Sequence, residues 1–327
     1  MKIYSSLLTV LLSVFFFNQS NATVWRVNNS GFNAPYSTIA LALSAVTTLP
    51  GDTIHVEPSQ TAYATTTVTK RVVIIGNGYY LSGVGSNIGK QANTYTSSVV
   101  SLNMNAGSFG SVVMGMTISS LAIREKNITF QRNNITGIAT LYLGADSCNF
   151  FQNSVTGISY SGTVNANRIL IANNFFSVGG SSYGINLPST VYPIIENNTF
   201  VSNSYITTYN AQINNNILVG GVVTLNNSVA FNNVCGQTQF PAGNGNLQNV
   251  TSINLFVSTG SSDGYYFLKT GSPAIGAGYN GVDCGMTGGN LPYRLSGIPE
   301  IPTIYDLTVP AIGTGTLNVT ISTRSND

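Results

Sequence analysis

Charge is scarce in this chain. Only 7% of its 327 residues are Asp, Glu, Lys or Arg, and the net charge is +2, whereas an ordinary soluble protein carries ~25% charged residues. Without clustered Lys and Arg to neutralise a phosphate backbone, nucleic acid is excluded as a partner. Histidine occurs once, at His55. With neither a second ligand nor a cysteine nucleophile beside it, it reads as a surface or end-of-coil residue. The three cysteines, Cys148, Cys235 and Cys284, are an odd count without the close spacing of zinc ligands, so no metal and no other cofactor is expected. They read as buried thiols, with a Cys148–Cys235 bridge as the alternative. A chain of this length can rely on its hydrophobic core without disulfides. After residue 22 no stretch approaches the ~18 uninterrupted apolar residues of a membrane helix, so no membrane span is expected.

What is present points outward from the cytoplasm. Lys2 precedes an apolar stretch from Leu7 to Phe17, and Ser20-Asn21-Ala22 supplies small residues for cleavage, the pattern of an export signal over residues 1–22. The mature protein is expected to be secreted or to reside at the cell surface. Asn, Gly, Ser and Thr replace the missing charge, a composition that disfavours helices and suits β-strands joined by tight turns.

A short internal repeat organises the middle of the chain. The pattern apolar, any, any, Asn, any, apolar occurs at Phe130–Asn133–Ile135, Phe150–Asn153–Val155, Leu170–Asn173–Phe175, Ile195–Asn198–Phe200, Ile213–Asn216–Leu218 and Val229–Asn232–Val234. The Asn positions fall 20, 20, 25, 18 and 16 residues apart, the length of one coil of a solenoid of short strands rather than of a helical repeat or a propeller blade. The apolar positions should enter a shared core. The residue after each Asn (Asn134, Ser154, Asn174, Thr199, Ile217 and Asn233) should face out. Glycines four residues after the Asn, at Gly137, Gly157, Gly220 and Gly236, suit turns. Coils stacked ~4.8 Å apart would let the Asn amides form a ladder that satisfies the corner backbone, so these residues are read as structural.

Upstream, Val72 to Tyr79 matches the pattern once, and Val99–Met104 and Val112–Ile118 add strand-like runs, so the solenoid should begin near residue 53. Before it, Ile39, Ala42, Leu43 and Val46 follow Ser37 at helical spacing and predict an amphipathic capping helix with Ser37 as N-cap. The domain plan is an export signal over 1–22, a β-helix domain over 23–289, and a Pro-rich linker with a short β tail over 290–327. Strand candidates in the tail lie at Ile304–Val309 and Leu317–Ser322. The tail is expected to pack on the final coil and protect its open edge. The fold class is thus all-β, a solenoid with a helix at one end and a β appendage at the other.

Tyr36 to Ala45, Gly51-Asp52-Thr53-Ile54-His55-Val56 and the Asn repeats together resemble the entry helix and first coils of pectate-lyase-like proteins. Gly271-Ser272-Pro273-Ala274-Ile275-Gly276-Ala277-Gly278 with Asp283-Cys284-Gly285 resembles a closing motif of secreted bacterial members, and the tail resembles those of secreted proteins from Bacteroidota. The resemblance spans residues 24 to 288 and implies a right-handed parallel β-helix. It leaves function open, because that superfamily includes lyases, hydrolases, adhesins and tailspikes.

The lyases of the superfamily hold calcium with clustered carboxylates and use Arg or Lys as base, and its galacturonases use neighbouring Asp residues. Between residues 58 and 262 the carboxylates here are Glu125, Asp146 and Glu196 alone, too few for a well-built calcium site. Counting back from the Asn repeats places Lys126 and Asp146 at one position of adjacent coils, with Glu125 next to it and Arg168 on the following coil. Glu125 and Asp146 could form a retaining pair separated by ~5 to 5.5 Å. Alternatively, Lys126 could act as a lyase base, with Arg168 neutralising a uronate. The plainer reading is a surface salt-bridge cluster.

Lys70-Arg71 reads as an exposed pair, with contact to an anionic glycan as the alternative. Tyr142, Tyr160, Tyr183 and Tyr192 could stack on sugar rings or simply pack. Ice binding would require regular Thr columns, which Thr65-Thr66-Thr67 and Thr207-Thr208 do not supply. The expected function is a monomeric protein that binds, or displays toward, extracellular polysaccharide. A lyase or hydrolase of an acidic glycan is the alternative. An enzyme would gather its few charges on the groove face, and a binding protein would present aromatic and amide rows there.

Overall fold

In the computed structural model the described residues are 22–31, 33–162, 166–177, 183–310 and 317–326. The expected export signal lies outside them apart from Ala22. The chain forms a parallel β-solenoid in which each coil contributes to two sheets. The first sheet has ten parallel strands, from Val24–Val27 at one end to Val229–Phe231 at the other, and the second has twelve, from Thr66–Val68 to Val234–Cys235.

Register in the first sheet is set by side-chain alternation. One column, Ile54, Ile74, Val113, Phe130, Phe150, Ile171, Ile195, Ile213 and Ala230, runs through paired strands and is wholly buried. Phe130 stacks on Phe150 at 5.3 Å, and Phe176 on Phe200 at 4.3 Å. Each such buried ring contributes roughly 1.5–3 kcal/mol by leaving water.

The corner between the sheets is built from two consecutive residues. Arg132, Gln152, Asn173, Asn197, Asn215 and Asn232 adopt the left-handed conformation, with φ between 52° and 58°, which asparagine tolerates better than most side chains. The next residue turns its amide inward. Asn133, Asn153, Asn174, Asn198, Asn216, Asn233 and Asn246 are joined in series, each Nδ2 donating to the next Oδ1 at 2.9–3.1 Å. The same Oδ1 accepts the backbone N–H of the preceding Asn. Each Nδ2 also donates to a carbonyl of the coil before it, as Asn198 does to Ile171. Buried amides and corner backbone thereby satisfy one another.

This series corrects the sequence register at two coils. Asn174 and Asn233, not Asn173 and Asn232, point inward, because at these two corners Asn173 and Asn232 take the left-handed position. Asn77, in the upstream match, donates instead to the carbonyls of Asn93 and Tyr95. Residues expected to be exposed after the Asn are also reassigned. Ser154, Thr199 and Ile217 are buried: the Tyr80 hydroxyl meets Ser154 at 3.1 Å, and the later residues Gly285 and Met286 lie against Ile217 and Thr199. Gly137 and Gly236 do not have positive φ; a Cβ there would collide with the carbonyls of Ser119 and Val219 on the coil before.

At the start of the chain, the helix Ile39–Ser44 buries Ile39, Ala42 and Leu43. Thr38, not Ser37, caps it, its hydroxyl accepting the Leu41 N–H at 3.1 Å. Val46 is 93% exposed because the helix ends before it. The last coil is closed by residues 236–250: Phe240 enters the main core, and Cys235 pairs with Leu247 and Val250 through the backbone.

The chain then returns along the outside of the corner toward its own beginning. The tail therefore lies beside the first coils, not on the final one. Its antiparallel strands, Thr303–Thr308 and Thr320–Arg324, meet residues 90–92 through Ala92 N–H to Ile304 O at 2.8 Å and Arg324 to Lys90 O. The Pro-rich segment before them is packed on the solenoid, with Tyr293 3% and Ile298 5% exposed.

Candidate functional site

The returning strap is held by the outward side chains of the left-handed corner residues. Asn232 Nδ2 donates to Ala277 O at 3.0 Å, and Asn215 Oδ1 accepts the Tyr279 N–H at 2.8 Å. Asn197 Nδ2 donates to Asp283 O at 3.0 Å, and Asn173 Nδ2 donates to the carbonyls of Met286 and Gly288 at 3.0 and 2.7 Å. Gln152 Nε2 reaches Pro292 O at 2.7 Å, and Arg132 Nη1 reaches Ile298 O at 3.0 Å while its Nη2 pairs with Glu300 at 2.6 Å. Amide donors spaced one per coil suit an extended chain with regularly spaced carbonyls. Further along, the buried Asp263 carboxylate accepts from Asn87, Ser261, Tyr293 and the N–H groups of Gly264 and Ser296. Tyr293 O–H also meets Tyr79 O–H at 2.7 Å. Burial holds both phenols well above their usual range, with the Asp263 charge adding to the effect.

Once in place, the strap walls a groove of about 740 Å³ on the outer face of the first sheet, within the size range of binding sites. Its floor is an outward column in register across five coils: Phe151, Ala172, Glu196, Asn214 and Phe231. Leu170 and Gln212 flank the column, and Tyr279, Asn280 and Asn290 come from the strap. Tyr279 is 58% exposed and meets Phe231 edge-on at 6.0 Å. Asn214 Nδ2 lies 3.5 Å from Glu196 Oε2, and Gln212 Nε2 donates to Asn214 Oδ1 at 3.3 Å. Glu196 is the one carboxylate among the residues lining the groove, and none of them is a cation. Rings, amides and one carboxylate can cover sugar C–H faces and exchange hydrogen bonds with hydroxyls. They do not provide the carboxylate pair of a two-carboxylate glycosidase.

The charged candidates lie elsewhere, at the turn leading into the first sheet. Glu125 and Asp146 are on adjacent coils, and the Cys148 thiol donates to both of their carbonyls at 3.5 Å. The Glu125 carboxylate accepts the N–H groups of Gly107 and Lys126 at 3.2 and 3.0 Å. Lys126 is exposed, with Nζ 5.9 Å from the centre of the Phe109 ring. Asp146 Oδ1 is shielded and has no hydrogen-bond partner. Arg168 is exposed, with φ of 64°. The ion pairs found among the described residues, Arg26–Glu57 and Arg132–Glu300, include none of these four side chains.

The three cysteines are free and buried. Burial pushes the Cys148 and Cys284 thiols up to about 12, with nearby carboxylates adding to the shift, which leaves them unreactive at neutral pH. Lys70 Nζ donates to Thr48 O at 2.6 Å. His55 lies at the other end of the outward column, beside the hairpin residues Ile301–Ile304. Of the tyrosines singled out by sequence, Tyr142 carries the Arg124 guanidinium 4.1 Å above its ring, Tyr160 packs on the core and Tyr192 is 47% exposed. The Tyr183 side chain lies outside the described residues.

Sequence reasoning missed the groove, although a usable signal exists: every floor residue stands two positions before an inward Asn. Aligning the coils on Asn173 and Asn232 breaks that column, whereas aligning them on Asn174 and Asn233 restores it. Compared with known proteins, the chain matches no family model and no curated sequence.

Proposed function

We propose that the protein is a pectate-lyase-like β-helix that acts outside the cytoplasm by binding polysaccharide in the groove between the first sheet and the strap. The observation that carries this reading is the floor column Phe151, Ala172, Glu196, Asn214 and Phe231, walled by Tyr279. Rings and amides are gathered there, while the remaining candidate charges, Glu125, Lys126, Asp146 and Arg168, are at the opposite turn. The motif resemblance and the export-signal pattern of residues 1–22 agree with an extracellular protein of this kind.

The test is retention on a panel of immobilised pectins, alginate, glycosaminoglycans and neutral glycans, comparing the wild type with Phe151→Ala and Phe231→Ala. Each substitution should weaken binding about 5- to 10-fold, the effect of losing one ring contact of roughly 1 kcal/mol. Retention unchanged in both variants would remove the groove from the reading. Unsaturated products or new reducing ends released from the panel would replace the binding reading with a lyase or a hydrolase.

A further inference from the structure

We infer that the groove takes an uncharged glycan lying parallel to the solenoid axis, with about one pyranose unit per coil. This rests on the polysaccharide reading and narrows it. Phe151, Ala172, Glu196, Asn214 and Phe231 occupy one outward position on successive coils. With coils ~4.8 Å apart, the two phenyl rings are about 19 Å apart along the axis. That rise is close to the length of one pyranose unit in an extended chain, so about four units fit between the aromatic ends. Ala172 leaves room above the floor for a ring, and the adjoining Glu196 and Asn214 offer acceptor and donor atoms to neighbouring hydroxyls.

Charge sets the class. Glu196 is the sole charged residue among those lining the groove. A uronan would bring its carboxylates against Glu196 with no cation to pair them, and like charges at such range repel. Sugar hydroxyls meet no such penalty, and a carboxylate is a stronger hydrogen-bond acceptor for them than a neutral amide.

The experiment is calorimetric titration of the protein with neutral oligosaccharides (cello-, manno- and xylo-oligosaccharides of two to six units) and with oligogalacturonates of matched length at low salt. Affinity for at least one neutral series should rise at least tenfold from dimer to tetramer and then level off. Oligogalacturonates should bind at least tenfold more weakly, and Glu196→Gln should narrow that gap. If oligogalacturonates bind the wild type more tightly and lose affinity in Phe151→Ala, the charge inference is overturned while the glycan-groove reading stands. If affinity does not depend on length, the axial placement is overturned. If no oligosaccharide binds, or binding ignores Phe151→Ala and Phe231→Ala, the glycan-groove reading falls as well.

Discussion

Asn197 and Asn198 are neighbours in the chain and share a residue type, yet they face opposite sides of one corner. Asn198 turns inward and is tied to Ile171, Glu196, Asn174 and Asn216. Asn197 takes the left-handed position and turns outward to Asp283 and Asn215. The inner amides join coil to coil, whereas the outer ones fasten a separate length of chain over the solenoid. Side-chain chemistry alone therefore does not assign a role here; the backbone conformation one residue earlier or later does.

The largest effect should come from the inner row. Asn198→Ala removes a fully buried amide and leaves corner backbone groups without partners, at an expected cost of about 3 kcal/mol or more. A fall in the urea midpoint at unchanged slope would report it. The outer neighbour offers the contrast: Asn197→Gly keeps the left-handed backbone and removes the strap contacts and one hydrogen bond from Asn215, so only about 1 kcal/mol is expected. Hydrogen exchange should then accelerate around residues 283–288 and stay slow in the inner strands. Equal costs for the two substitutions would collapse the distinction between the rows.

The smallest effect concerns the far end of the strap, where the hairpin meets His55. Burial holds the folded imidazole below its ordinary value of 6.5, while Glu57 raises it and Arg26 lowers it further. The unfolded chain therefore binds a proton that the folded one resists. The stability that neutral His55 contributes is complete above pH 6.5 and is lost as pH falls from there through the lower, folded value. His55→Gln should flatten the wild-type decline in thermal midpoint measured from about pH 7.5 to 5. An unchanged slope would mean that other groups set it.

The solenoid was legible because its repeat is local: one inward Asn and flanking apolar residues recur every coil, so periodicity alone exposes the architecture. Residues 173–174 and 232–233 were misread because both members of each pair are Asn, and composition cannot say which one turns in. The docking of the strap was not legible, although Gly271–Gly278 and Asp283-Cys284-Gly285 stood out as a closing motif. The corner residues grip the strap's backbone N–H and carbonyl groups, which nearly every residue has, so no side-chain pattern in 277–299 announces the docking. The groove was hidden behind both problems, since its floor needs the correct coil register and its wall needs the strap. Lys126 and Asp146 drew attention because they are rare in this sequence, but rarity marks a residue without placing it beside others.

The strap also orders events in time. Successive inner amides lie 13 to 24 residues apart in sequence, whereas the Tyr79–Tyr293 contact spans 214 residues and the Arg324–Lys90 contact 234. Short closures lose less chain entropy and form sooner. During synthesis, coils can stack as they emerge, but Tyr279 and its neighbours arrive only after the last coil is closed by Phe240. The groove thus comes into being only after the coils it lies on, and a chain cut short before residue 277 would keep its stacked coils with no groove wall along them.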